Sequence, residues 1–182
     1  MVYFLFFYRA ITQFYYSTLK KILLLSDTHS YIDSRILHYV NEADEIWHAG
    51  DIGDLKVTDT IEALKPLRAV YGNIDDDKAR ATYPLHQRFD CEGVSVWITH
   101  IGGYPPKYNI NTRDEIKSNP PQLFICGHSH ILKVIPDKKN GVLHMNPGAA
   151  GKHGFHKVRT MLRFTVDSGN IENLEVIELG KK

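Results

Sequence analysis

The chain has 182 residues, enough for a domain with a full hydrophobic core, and its 43% hydrophobic and 24% charged residues are ordinary for a soluble globular protein. Its formal net charge of +1 disfavours a dedicated nucleic-acid-binding protein, because polyanionic nucleic acid usually demands a strongly basic face. The two cysteines, Cys91 and Cys126, have no metal-binding or redox spacing, so we expect free structural thiols and a cytoplasmic protein.

The N-terminal segment, residues 1–18, reads MVYFLFFYRAITQFYYST and carries a single charge at Arg9. A secretory signal would place basic residues before its apolar stretch and small residues at a cleavage site. The stretch is also too short, and too interrupted by Arg9, Thr12 and Gln13, to span a bilayer. We therefore expect an aromatic extension, or a start codon assigned too far upstream, without stable membrane insertion. Residues 19–182 are predicted to form one domain.

The first half of that domain alternates strand and helix patterns. Its opening apolar run, KILLLS, is typical of a strand buried on both faces. In chain order we predict strand, helix, strand, helix and strand at Lys21–Ser26, Ser34–Asn41, Glu45–Ala49, Lys56–Leu64 and Leu67–Tyr71. A β-α-β-α-β start favours parallel pairing with right-handed crossovers.

The second half contains mainly short strands. A turn at Glu92-Gly93 predicts a hairpin, and a short helix is predicted at Thr112–Ser118. The predicted strands are Gln87–Cys91, Val94–Thr99, Leu123–Cys126, Leu132–Pro136, Val142–Met145, Met161–Val166 and Leu174–Leu179. This pattern indicates an α/β (α+β) fold, in which two stacked sheets of mixed strands are covered by helices on their outer faces.

Polar side chains follow five of the predicted strands. Ligands of open α/β sheets bind beyond the carboxyl ends of the strands, so loops far apart in sequence are expected to converge there. Aspartate and imidazole bind divalent cations, and a bridging carboxylate can draw two cations to about 3.5–4 Å from each other. The candidate ligands are Asp27, His29, Asp51, Asn73, His100, His128 and His130. They predict a two-cation centre, a common device for attacking phosphate esters.

The ordered motifs resemble those of a known family. They are Asp27-x-His29, Gly50-Asp51, Gly72-Asn73-x-Asp75, His100 and Gly127-His128-x-His130. The series is similar to the calcineurin-like metallophosphoesterases, and in particular to their small bacterial and archaeal phosphodiesterases of the YfcE type. The similarity runs from about Lys20 to Leu179 and includes Asn146-Pro147-Gly148. It implies a four-layer αββα sandwich of two mixed β-sheets flanked by helices, and two divalent metal ions (Mn, Fe, Zn, Ni or Co).

The resemblance also implies a role for each candidate ligand. One metal would be held by Asp27, His29, Asp51 and His130, and the second by Asp51, Asn73, His100 and His128. Asp51 would bridge the two metals, and Asp51, Asn73 and His100 would take part in catalysis. From their positions in the sequence, His48, which directly precedes Ala49-Gly50-Asp51, and Asp75 are expected to support the ligands without binding metal themselves.

The chain departs from the family pattern at two places. Many members of the family carry at this position a histidine that helps to protonate the leaving group. This chain has Ile74 there, and the YfcE-type group also lacks the histidine. Loss of a general acid typically costs on the order of 10²–10⁴-fold in rate, so good leaving groups should be favoured. Ile101-Gly102 follows His100 in place of a Gly-His pair, which leaves Tyr104 and Lys107 as candidate substrate contacts.

Other polar residues are better explained as parts of turns and solvated loops than as ligands. The acidic run Asp75–Asp77 is interpreted as a solvated turn in which Asp75 braces the loop of Asn73. His153 and His156, with Arg159, follow the Asn-Pro-Gly turn and could reach a phosphate, although a solvated loop is the simpler interpretation. Of these, Arg159 is retained as a candidate substrate contact.

The leading functional hypothesis is a dinuclear-metal phosphodiesterase that hydrolyses small phosphodiesters or nucleotides by attack of metal-bound hydroxide. A first alternative is a non-catalytic metal-binding scaffold for protein–protein interaction, since a retromer subunit of the same fold works chiefly by binding other proteins. A second is a nuclease acting on short oligonucleotides. The aromatic extension could mediate self-association, so a homo-oligomer (dimer or tetramer) is also considered.

Overall fold

A computed structural model describes residues 19–182, so the predicted N-terminal extension lies outside the described residues. The strands in this part of the chain are β1 (Lys20–Leu25), β2 (Glu45–His48), β3 (Leu67–Ala69), β4 (His86–Cys91), β5 (Val94–Thr99), β6 (Gly103–Tyr104), β7 (Lys107–Tyr108), β8 (Leu123–Ile125), β9 (Lys133–Asp137), β10 (Val142–Asn146), β11 (Val158–Asp167) and β12 (Asn170–Lys181). The helices are α1 (Ser34–Glu42), α2 (Lys56–Glu62), α3 (Asp77–Thr82) and α4 (Arg113–Ser118). Within residues 19–182, no helix is long and apolar enough to cross a membrane.

The strands of this region form two five-stranded mixed sheets and the small β6-β7 hairpin. The first sheet has the order β12-β11-β1-β2-β3, with β1, β2 and β3 parallel and β11 antiparallel to both β1 and β12. The second has the order β4-β5-β8-β10-β9, with β5, β8 and β10 parallel and each edge strand antiparallel to its neighbour. The parallel β-α-β-α-β start predicted from the sequence is confirmed.

Strand β1 shows why the two sheets stack. Its side chains alternate between the two faces of the first sheet, and both faces are covered. Ile22 and Leu24 lie in the core between the sheets, whereas Leu23 and Leu25 pack with the buried residues of α1 and α2. Full burial of each such side chain is worth roughly 1.5–3 kcal/mol. The continuous apolar run is therefore the sequence signature of a strand sandwiched between two layers.

The outer face of the second sheet is covered by α4. Ile116 of this helix is fully buried and packs with Trp97 of β5 and Phe124 of β8. Helices thus lie on the far side of each sheet. The predicted four-layer αββα sandwich is confirmed.

The acidic run after β3 differs from its predicted state. The sequence favours a solvated turn here, but the run leads into α3, a helix that the sequence does not predict. Asp76 caps this helix by accepting the backbone N–H of Ala79 at 3.0 Å, and Asp77 lies in its first turn. Helix α3 has six residues, of which Ala79 is buried. Such a short helix cannot show an apolar periodicity in the sequence.

Strand β12 also extends beyond the predicted Leu174–Leu179. It lies at the edge of the first sheet, where most of its side chains are exposed. An exposed edge strand does not need alternating apolar residues, so its ends leave little trace in the sequence.

A buried carboxylate ties three neighbouring strands together. Glu45 of β2 is 5% exposed and accepts hydrogen bonds from Lys20 Nζ of β1 at 2.9 Å and from Arg68 Nε of β3 at 2.5 Å. Trp47 Nε1 donates to the same carboxylate at 2.9 Å. Burial alone would raise the pKa of Glu45, but these donors together hold it below its ordinary value. The ionised carboxylate of Glu45 therefore links β1, β2 and β3 and stabilises this part of the first sheet.

Replacement of Glu45 by glutamine (Glu45→Gln) should lower the free energy of unfolding by roughly 1–3 kcal/mol near neutral pH, because two cationic donors lose their anionic acceptor. Because the pKa of Glu45 is lower in the folded state, the ionised carboxylate stabilises the folded protein fully at a pH above the pKa of unfolded Glu, about 4.3. This stabilisation is lost as the pH falls through the folded-state pKa. The deficit of the variant should therefore shrink in acid, as measured by urea unfolding at neutral and acidic pH. A deficit of equal size in acid would contradict the role given to the ionised carboxylate.

Candidate metal centre

The loops at the carboxyl ends of four strands converge. Asp27 and His29 follow β1, Asp51 follows β2, His100 follows β5, and His128 and His130 follow β8. Their side chains form two groups, and within each group the candidate ligand atoms all lie within 4.8 Å of one another. The groups are Asp27, His29, Asp51 and His130, and Asp51, His100 and His128. Asp51 belongs to both.

The first group brings four electron-rich side chains together. His130 Nε2 lies 3.1 Å from Asp27 Oδ1, and His29 Nε2 lies 3.7 Å from Asp51 Oδ2. The two Nε2 atoms of His29 and His130 are 3.3 Å apart. Burial lowers the pKa of His29 in spite of the two carboxylates, which favours its neutral, metal-binding form. Two carboxylates and two imidazoles at these distances make a suitable donor set for a divalent cation.

The second group contains a nitrogen whose orientation is fixed by the backbone. The carbonyl of Ala49 accepts a hydrogen bond from His100 Nδ1 at 2.8 Å, so the lone pair of the neutral ring lies on Nε2. That buried Nε2 faces Asp51 Oδ1 at 3.1 Å and has no hydrogen-bond partner among the described residues. Burial, the largest single influence, lowers the pKa of His100, but the Asp51 and Asp27 carboxylates and the Ala49 carbonyl together raise it above its ordinary value. A neutral ring would therefore turn its lone pair toward a carboxylate oxygen, and either a proton or a divalent cation bound by both atoms removes this repulsion.

His128 forms the exposed side of the second group. Its ring centroid lies 5.2 Å from that of His100, and burial together with the charge of His100 lowers its pKa. The backbone N–H of His128 donates to both carboxylate oxygens of Asp27 at 3.2 Å. This contact links the loop after β8 to the loop after β1. Because His128 is exposed, the centre is accessible from its side.

Most of the candidate ligands have an unusual backbone conformation. The φ angles are positive at Asp27 (54°), His29 (46°), Asp51 (55°), His128 (68°) and His130 (55°). For residues with a Cβ, this left-handed region costs roughly 1–2 kcal/mol per residue. Such conformations persist where the surrounding structure enforces them, and they concentrate at functional sites.

Asp75 holds two of the loops together. Its carboxylate is 3% exposed and accepts the backbone N–H groups of Gly53 at 2.7 Å, Gly72 at 2.7 Å and Ile52 at 3.2 Å. Gly72 packs so closely on Asp51 that a Cβ at this position would overlap its carboxylate. Asp75 therefore fixes the loop of Asp51 against the loop that follows β3.

Asn73 lies on that second loop, where its side chain is exposed. Arg80 donates to its backbone carbonyl at 3.3 Å, and the N–H of the next residue, Ile74, donates to Asp51 Oδ1 at 3.2 Å. These backbone contacts hold Asn73 beside the shared carboxylate. Ile74 is 46% exposed and adds an apolar surface there.

His48 connects the first two loops from beneath. The backbone N–H of Gly50 donates to His48 Nδ1 at 3.2 Å, so the ring hydrogen lies on Nε2, which faces Thr28 Oγ1 at 2.9 Å. Thr28 Oγ1 donates in turn to the carbonyl of Ile52 at 3.1 Å. Burial lowers the pKa of His48 to about 4, so its ring is neutral near neutral pH.

A cavity of about 350 Å³ opens beside His128. The sequence-predicted substrate contacts Tyr104 and Lys107 lie in its wall, together with Ile101. Lys133 Nζ lies 3.1 Å from the centroid of the Tyr104 ring, a cation–π contact that fixes the ring. The cavity thus joins an aromatic surface, an apolar surface and a cationic side chain next to the candidate centre.

Arg159 does not occupy the position that the sequence predicted for it. It is 3% exposed in β11 rather than free on a solvated loop. Its Nε donates to the Ala150 carbonyl at 2.8 Å, an Nη donates to Asp33 at 3.0 Å, and the guanidinium lies 4.7 Å from the Tyr31 ring centroid. These contacts engage the guanidinium away from the loop expected to carry it, and a role of Arg159 in substrate binding stays a prediction. Arg159 therefore anchors the start of β11 against the loop between β1 and α1.

Two imidazoles that the sequence assigns to a solvated loop lie near the first group. The ring centroid of His153 lies 4.8 Å from that of His29, and that of His156 lies 5.3 Å from that of His130. In the sequence these residues form a His-x-x-His pair soon after the Asn-Pro-Gly turn. Their place beside the first group could not be predicted, because it depends on β10 and β11 lying in different sheets.

The chain belongs to the calcineurin-like phosphoesterase superfamily, whose domain model matches residues 21–169. A probable metallophosphoesterase of Methanocaldococcus jannaschii is 25% identical over 132 residues. The match spans 69% of this chain and 66% of that relative.

Solved structures show the same fold. One described as a novel archaeal phosphodiesterase has a TM-score of 0.67 and 21% identity, covering 87% of this chain and 99% of the other. Vps29 of Entamoeba histolytica, in complex with Zn²⁺, has a TM-score of 0.63 and 15% identity, covering 87% of this chain and 98% of the other. At these identities the likeness establishes the architecture.

Proposed function

We propose that this protein is a phosphodiesterase that uses two divalent cations to hydrolyse small phosphodiesters or nucleotides. The observation that carries this proposal is the position of Asp51, whose carboxylate belongs to both candidate ligand groups. Its Oδ1 faces His100 and its Oδ2 faces His29. A carboxylate with one oxygen turned to each of two donor groups has the geometry of a bridge between adjacent cations.

Two cations bound in these groups would lower the pKa of a water molecule and neutralise the developing charge on a phosphate. The residues of the chain serve this chemistry by orientation. Ala49 fixes the ring of His100, Asp75 fixes the loop of Asp51, and Asn73 offers an amide donor to a phosphate oxygen. The positions are set before a substrate arrives, which is the basis of electrostatic preorganisation.

The surroundings of the centre favour an ester with an organic group on the phosphate. Ile74 and Ile101 are 46% and 39% exposed, and Tyr104 and Lys107 lie in the wall of the neighbouring cavity. Since Ile74 cannot donate a proton, the leaving group must be a good one or be protonated by solvent. Diesters with stable leaving groups should therefore react faster than simple alkyl esters.

The comparisons support this proposal at a coarser level. The superfamily match and the probable metallophosphoesterase relative favour phosphoric ester hydrolysis that depends on metal. The archaeal phosphodiesterase shares the fold, and the Zn²⁺ complex of Vps29 shows that a protein of this architecture takes a divalent ion.

A metal-binding scaffold is the second candidate function, and the likeness to Vps29 favours it. In that case the centre would hold metal for structural reasons and the chain would act through a protein partner. The two functions differ in one measurable property, which is turnover of an ester.

Asp27→Asn and Asp51→Asn should differ in metal stoichiometry. Titration of Mn²⁺ into the metal-free protein, followed by calorimetry, should give two ions for the wild type and one for Asp27→Asn, because Asp27 belongs to the first group alone. Asp51→Asn should lose tight binding of both ions, since it removes the shared carboxylate. Retention of two tightly bound ions by Asp51→Asn would show that Asp51 is not the bridge.

The purified protein should cleave bis-p-nitrophenyl phosphate when Mn²⁺ is added, and His100→Gln should reduce kcat by about 10²-fold or more. His38→Gln is the matched control, because His38 is an exposed imidazole on α1 with a side chain that pairs with Glu42. The substrate panel should include phosphomonoesters, cyclic nucleotides and short oligonucleotides.

If the protein binds the metal ions but cleaves none of the esters, the proposed phosphodiesterase activity is contradicted and a metal-binding scaffold is favoured. Preferential cleavage of the oligonucleotides would instead indicate a nuclease.

A further inference from the structure

The loop between β10 and β11 contains a histidine that faces a candidate metal ligand. The loop is anchored at its start by backbone hydrogen bonds, from Ala150 N to the Ser26 carbonyl at 2.9 Å and from Gly151 N to the Asp27 carbonyl at 3.1 Å. Further along, Gly154 has a φ of +110° and packs so closely on His130 that a Cβ would overlap its ring at Nδ1. The loop therefore follows the outer edge of the first group closely.

The protonation of His156 follows from its hydrogen bond. The carbonyl of Gly151 accepts from His156 Nε2 at 3.1 Å, so in the neutral ring Nδ1 carries the lone pair. That Nδ1 is buried and has no hydrogen-bond partner among the described residues. An acceptor of this kind is costly to leave unsatisfied.

His130 has the complementary need. Its Nε2 faces Asp27 Oδ1 and His29 Nε2, which is the side on which a cation would lie. When Nε2 serves a cation, the ring hydrogen must lie on Nδ1. His130 Nδ1 is also buried and lacks a partner within residues 19–182. The rings of His130 and His156 lie edge to face, with centroids 5.3 Å apart.

We propose that His156 is a positioning residue for the first metal, which accepts a hydrogen bond from His130 Nδ1–H, directly or through one water, and so holds His130 Nε2 toward the cation. This inference rests on the proposed metal-dependent function. It explains two buried nitrogens that otherwise have no partner, because one must donate and the other must accept. It also explains the close approach of Gly154, which lets the loop lie alongside the His130 ring.

Two substitutions separate the two nitrogens of His156. In His156→Gln the amide nitrogen reaches the position of Nε2, so the bond to the Gly151 carbonyl is kept and the acceptor at Nδ1 is lost. In His156→Asn the amide oxygen takes the position of Nδ1, so the acceptor is kept and the bond to Gly151 is lost. Lys157→Gln serves as the control, because Lys157 is exposed on the same loop.

The full chain and each variant are stripped of metal and titrated with Mn²⁺ by calorimetry, with thermal unfolding of the metal-free proteins measured in parallel. His156→Gln should bind the ion of the first group about 10–100-fold more weakly, the usual cost of losing such a partner. His156→Asn should stay within a few-fold of the wild type, and Lys157→Gln should match it. The unfolding measurement shows whether a variant has lost its fold.

Wild-type affinity in folded His156→Gln, or a loss in His156→Asn equal to that in His156→Gln, would overturn the positioning role. Failure of the proposed function has a different signature. The wild type would then bind Mn²⁺ and cleave no ester, while the difference in affinity between the two His156 variants would still appear.

Discussion

The structure depends on a convergence of electron-rich atoms that a positive charge would stabilise. His100 Nε2, oriented by its bond to Ala49, faces Asp51 at 3.1 Å, and His130 Nε2 faces Asp27 at the same distance. In a buried site such electron-rich atoms repel one another unless a proton or a cation lies between them. The rest of the fold can be understood as a scaffold that holds these atoms together against that repulsion.

Several features of the scaffold contribute to this task. The parallel strands bring the loops of Asp27 and Asp51 to one edge, and the second sheet adds the loops of His100 and His128 from the opposite layer. Left-handed backbone angles at most of the ligands are maintained by contacts such as the three N–H groups that donate to Asp75. The two stacked sheets and their helices supply the apolar burial that offsets this local strain.

The sequence predicted the layers and the converging residues because both leave strong local patterns. The run KILLLS reports a strand covered on both faces, and short polar motifs after apolar strands report the edge where ligands meet. What the sequence could not predict depends on contacts between distant segments. The burial of Arg159 depends on Asp33 and Tyr31, and the place of His156 depends on the path of a loop between two sheets. Helix α3 is a local element capped by Asp76, but its six residues are too few to reveal it. None of these has a periodicity that a single sequence can show.

The most direct measurement is anomalous diffraction from crystals of the full chain grown with Mn²⁺. Two anomalous peaks about 3.5–4 Å apart, with the Asp51 carboxylate between them, are predicted, one beside His29 and His130 and the other beside His100 and His128. Peaks confined to other parts of the molecule, or an Asp51 carboxylate turned away from any peak, would contradict a centre built around that residue.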